Sequence, residues 1–121
     1  MSIEGVWTGE FYGPYGWENS GVYILDRGAI VGGSNRHYSS GTYSVTNNTY
    51  RAKIRVHYYG PPRAIFGERK DEFEIEVAGE VGEDVIDAEV VRPDKPDFEV
   101  LYRLRRRSDL PAAWVKGSSA P

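Results

Sequence analysis

Between Tyr50 and Tyr59 the chain alternates without a break. Ala52, Ile54, Val56 and Tyr58 fall on one side, and Arg51, Lys53, Arg55 and His57 on the other. A period of two is the repeat of an extended strand, with one dry face and one wet face. The stretch from Asp71 to Glu80 repeats it, with Phe73, Ile75 and Val77 against Glu72, Glu74 and Glu76. Further strands are expected at Gly5–Tyr12, Gly21–Asp26, Ala29–Gly33, Gly41–Thr46, Val85–Val91 and Phe98–Arg105. Turn signals separate them: "GPYG", "DRG", "TNNT", "YGPP", "VGED" and "RPDKPD". No window of helical length carries an apolar stripe at period 3.6. About eight close-set strands without helices predict an all-β fold, a single small antiparallel up-and-down barrel.

At 121 residues there is material for one core. The expected organisation is a barrel domain over residues 1–111 and a tail over residues 112–121. The tail is rich in Gly, Ser and Pro like a linker, but it holds Trp114, which is expected to dock into a groove on the barrel or on a neighbouring subunit. Nine tyrosines and three tryptophans supply the bulk for a packed interior. The inward set is expected to include Trp7, Phe11, Tyr43, Ile54, Val56, Tyr58, Phe73, Ile75 and Phe98. Such side chains fill much of an eight-stranded barrel, which has room for one small ligand at most.

Several functions are disfavoured by composition. The formal net charge of −3 argues against nucleic acid and anionic membranes as partners. The absence of cysteine excludes thiol catalysis, thiolate metal sites and disulfides, and the fold needs no oxidising compartment. "MSIEGVW" lacks the basic and apolar regions of a signal peptide, and no run approaches the roughly 18 apolar residues of a membrane helix. The expected location is the cytoplasm.

The chemistry-bearing residues are sparse. His37 and His57, the two histidines, have no metal-ligand spacing. "HYSSG" offers Ser39 and Ser40 beside His37, but without a nucleophile elbow or oxyanion device. Glu83, Asp84, Asp87 and Glu89 alternate with apolar residues as on the wet face of a strand. Neither catalytic residues, a metal nor a cofactor is therefore expected. "RAKIRVHYYG" interleaves cations and aromatics, but Tyr58 is in register with the core and only Tyr59 shares the outer face, which makes a poor stacking track. Arg51, Lys53 and Arg55 should instead face Glu76, Glu74 and Glu72 across neighbouring strands, at roughly 0.2–1 kcal/mol per exposed pair, and a shift of two residues would still set base opposite acid at most rungs.

More suggestive are aromatics in turns. "FYGPYGWENSG" places Tyr12, Tyr15 and Trp17 in or beside one Gly- and Pro-rich loop, and "GPPRAIFGERK" adds Ile65 and Phe66. Such residues either cap a barrel mouth or anchor a partner, since Tyr, Trp and Arg dominate interface hot spots. With any unpaired barrel edge they predict a twofold homodimer.

The order "GVW", "SGVYILDRGAIVGGS", "GTYSV", "IRVHYYG", "IFG", "DEFEIEVAGEV" and "LYRLRRRSDLP" resembles the GrlR-like family of small bacterial proteins, over roughly Gly5 to Pro111. Gly5-x-Trp7 on the first strand with arginines on the last also resembles the calycin signature of lipocalins and their relatives. In that signature an indole plugs one barrel end and a guanidinium stacks on it. The resemblance implies a lipocalin-like barrel and a non-enzymatic, protein-binding regulatory role, with a partner such as a transcriptional activator. The sequence departs from the family at Gly32-Gly33-Ser34, where Gly-Gly-Asp is the pattern, and at "VTNNTY", where Asn47 and Asn48 replace an acidic run. What carries over is the fold and a binding role, not control of secretion. The alternative is a carrier that holds a small apolar ligand inside the barrel.

Overall fold

Eight alternating segments pair in sequence order and the last returns to the first. The computed structural model describes residues 3–61 and 71–114, apart from the side chains of Pro96 and Phe98. The strands are β1 (Gly5–Gly13), β2 (Gly16–Asp26), β3 (Ala29–Gly33), β4 (His37–Thr46), β5 (Thr49–Tyr58), β6 (Glu72–Val81), β7 (Val85–Arg92) and β8 (Lys95–Ser108). All neighbours are antiparallel, and β1 pairs with β8, so the sheet closes. Closure removes the unpaired edge that the sequence had offered as a route to association. Any contact with another chain must therefore use side chains.

Three strands begin earlier than the alternation suggested. β2 starts at Gly16, because "GPYG" is a two-residue turn at Pro14 and Tyr15 and not part of a long loop. Gly16, at φ 102°, supplies the backbone conformation that closes it. β4 starts at His37 and β8 at Lys95, after a turn at Pro93 and Asp94. In each case polar or proline residues interrupt a pattern that the ladder itself continues. Two other hairpins turn on left-handed residues, Arg27 and Gly28 between β2 and β3, and Asn47 and Asn48 between β4 and β5. The tail gives one 3₁₀ turn, Ala112–Trp114, whose residues are all exposed. Trp114 keeps 47% of its surface in solvent, and its indole makes no ring contact or hydrogen bond among the described residues.

The pairing of β5 with β6 takes the two-residue shift rather than the first expected register, and base still faces acid at two of the three rungs. Lys53 faces Glu76 and Arg55 faces Glu74, two residues from the expected register, and Arg51 faces Ala78. A shift of two keeps every side chain on its own face, so hydrophobic burial does not oppose it. Arg55 still reaches Glu72 diagonally, Nε to Oε2 at 3.1 Å, where His57 Nδ1 also lies at 3.3 Å.

The core is a column of inward side chains in which Trp7, Phe11, Leu25, Tyr50, Ile86, Val90 and Leu104 lose essentially all contact with water. One barrel end holds the turns at 27–28, 47–48 and 82–84. Trp7 closes it, its Nε1–H donating to the Ile3 carbonyl at 2.9 Å. Gly5 is there for space: a Cβ would meet the Ser108 carbonyl oxygen at 2.7 Å and Arg106 Nε at 2.9 Å. Arg106 passes through that gap and donates to the Glu4 carbonyl at 2.8 Å and to Asp109 at 2.7 Å. The last-strand arginine therefore laces the barrel end through the backbone rather than stacking on the indole. A guanidinium–ring contact does occur inside the opposite end, where buried Arg92 lies 4.5 Å from the Phe73 ring centroid and pairs with Asp94 at 2.8 Å.

Candidate interaction surface and barrel interior

Of the expected inward residues, Trp7, Phe11, Ile54, Val56, Tyr58, Phe73 and Ile75 are buried in one cluster. Tyr43 is only partly covered, near the barrel end, with its ring 5.9 Å from that of Tyr50. Phe98 is on β8, but its side chain lies outside the described residues.

The space left inside is small. The water-sized cavity lined by Tyr23, His37, Ser39, Tyr50 and Tyr102 among apolar walls leaves about 20 Å³ for the centre of a water molecule. That is room for about one water. Among the described residues this cavity is water-sized.

A hydrogen-bonded chain lies along this cavity that the alternation did not reveal. Ser34 Oγ is 3.0 Å from His37 Nδ1, and His37 Nε2 is 3.2 Å from the Tyr23 hydroxyl. Ser20 Oγ is 3.3 Å from that hydroxyl and 2.7 Å from the hydroxyl of Tyr102. Ser20 is inward because β1 and β2 slip register between Gly9 and Glu10, so that Gly9 faces Gly21 and Glu10 faces Asn19. Gly9 sits between inward Trp7 and Phe11 because a Cβ would collide with the Tyr102 hydroxyl and meet Ser20 Oγ at 2.7 Å. Burial pushes the Tyr23, Tyr50 and Tyr102 phenols above their ordinary range, so all stay protonated. Tyr23 and Tyr102 share the parity of the core in the sequence. The bulge that brings Ser20 beside them has no sequence signal in a single chain.

No catalytic arrangement forms around the histidines among the described residues. His37 contacts Ser34 and Tyr23, Ser39 is buried beside the cavity, and Ser40 points outward. Among the described residues no three His, Cys, Asp or Glu side chains gather as a metal cage. Glu89, on the outer face of β7, is held above its usual carboxylate range by a hydrogen bond with Glu99.

The exterior is divided by charge. From β5 round to β8 the outward side chains include Arg51, Lys53, Arg55, Glu72, Glu76, Asp87, Glu89 and Arg103. On β2, β3 and β4 the outward residues Trp17, Asn19, Val22, Ile24, Val31, Tyr38 and Ser40 carry no charge, and the strip ends at Asp26, which pairs with Arg27 at 3.2 Å. Val22, Val31 and Tyr38 are each about half exposed. The β1–β2 hairpin continues this neutral strip. Tyr12 and Trp17 are cross-strand partners whose rings meet edge to face at 5.4 Å. Arg103 lies 4.1 Å over the Trp17 ring and bonds Asp87 at 3.0 Å, which fixes the indole in place. Tyr15, at the turn, is 95% exposed. Three of the five expected interface residues thus form one rigid corner, and Ile65 and Phe66 lie outside the described residues. Arg103 was missed, because its role depends on which strand closes the barrel beside the hairpin.

No helix among the described residues is long and apolar enough to cross a membrane. A scan against protein-family models finds no match for this chain, and a search of curated proteins finds no relative.

Proposed function

We propose that this chain is a non-enzymatic interaction module whose neutral face, from the β1–β2 hairpin across β2–β4, seats a second copy of the same chain. The observation that carries this is the hairpin corner: Tyr12, Trp17 and Arg103 are locked together yet exposed, with Tyr15 projecting beyond them. Rigid aromatic anchors bind at low entropic cost, and Tyr, Trp and Arg are the residues that dominate hot spots. A twofold contact places a surface on its own copy. In a chain of net charge −3 the neutral strip does this without like-charge repulsion, whereas the β5–β8 face meets itself at a cost.

A filled interior favours this reading over a ligand carrier. The dimer would present its remaining surface to a regulatory partner, such as a transcriptional activator, as the GrlR-like resemblance implies. A cytoplasmic setting is compatible with it, since a chain without cysteine needs no oxidising compartment.

Sedimentation equilibrium at micromolar concentration tests the reading. The wild type should run at twice 13.6 kDa, with little dependence on salt. Trp17→Ala and Val31→Lys should run as folded monomers with unchanged circular dichroism. A wild type that remains a monomer overturns the proposal.

A further inference from the structure

The barrel interior holds more hydrogen-bonding groups than filling space requires. Tyr23, His37, Ser39, Tyr50 and Tyr102 all line one cavity whose other walls are apolar. Phenylalanine would fill the same volume at three of these positions. Four hydroxyls are already tied into the chain that starts at half-buried Ser34 and ends at Tyr102. Tyr50 is the exception. It is completely buried, and its hydroxyl has no hydrogen-bond partner among the described residues. An orphaned buried hydroxyl carries its full desolvation cost, so native interiors rarely keep one.

We propose that this cavity is a built site for one internal water, which the Tyr50 and Tyr102 hydroxyls hold and which joins Tyr50 to the chain leading out to Ser34. The space fits: about 20 Å³ is open to a water centre, and a single water needs roughly 10–15 Å³. The partners fit as well, since a buried water makes about three hydrogen bonds and Ser39 lines the same cavity. Gly9 follows from the same requirement, because any side chain there would drive the Tyr102 hydroxyl out of the position it needs. The site is thus a few hydroxyls set among apolar walls, with room for a water-sized guest.

Two measurements decide it. In the wild type, nuclear Overhauser contacts should connect a long-lived water to the ring protons of Tyr50 and Tyr102. Their absence, or entry of xenon into the cavity, would show a dry apolar void and overturn the proposal. The sign of the Tyr50→Phe effect on the melting temperature is the second. If water satisfies the hydroxyl, its removal breaks a bond and Tm falls by a few degrees. If the hydroxyl is truly orphaned, its removal relieves a cost, and an unchanged or higher Tm contradicts the site.

Discussion

Gly9 shows how one missing side chain organises a core. It lies between two of the largest inward residues, Trp7 and Phe11, and leaves the volume that the hydroxyls of Tyr102 and Ser20 occupy. Gly9→Ala should therefore cost about 1–3 kcal/mol by overpacking. Tyr102→Phe removes the colliding oxygen, so the double variant should lose less than the sum of the two single losses. Urea denaturation of the four proteins measures that coupling, and strict additivity would remove this explanation of Gly9. The buried phenols make a second prediction. Tyr23, Tyr50 and Tyr102 have folded-state values above those of the unfolded chain. Their contribution is fully present below the ordinary tyrosine value, about 10, and is lost as pH rises beyond it, because the unfolded chain then releases protons that the native state keeps. Alkaline titration should show tyrosinate absorbance from these residues only together with loss of near-ultraviolet circular dichroism.

Among the elements, the hairpins divide into those that local chemistry specifies and those that tertiary pairing imposes. Asn47 and Asn48, at φ 52° and 65°, form the tight turn that "TNNT" announces. Asn48→Ala should destabilise by roughly 1 kcal/mol, and Asn48→Gly should be neutral or better, as thermal denaturation can check. The alternating strands β5, β6 and β7 were legible for the same local reason: each places apolar residues at every second position. The β1–β2 hairpin was not. Its strand runs through "GWENSG", where no apolar alternation survives, and it holds its place through the β1 ladder and the Arg103–Trp17 contact from β8. The β5–β6 register escaped for a different reason. Parity defines which face a residue occupies, while the number of rungs depends on the connection between the strands. The exposed aromatics of the β1–β2 hairpin could be picked out by residue type alone, but the inner polar chain could not, because a bulge converts Ser20 from a loop residue into a core one.

For the whole molecule, closure and charge segregation act together. Among the described residues the cavity lined by Tyr23, Tyr50 and Tyr102 is water-sized. A closed barrel has no strand edge to offer, and its outward side chains divide into an arc over β2–β4 that is uncharged except for Asp26 at its end and a charged arc over β5–β8. Dilution of the isotopically labelled protein, followed by nuclear magnetic resonance, tests this most directly. Concentration-dependent shifts should cluster at Tyr15, Trp17, Val22, Val31 and Tyr38, with Lys53, Glu76 and Glu89 unmoved. Spectra that do not change on dilution, or shifts confined to the charged arc, would contradict the account.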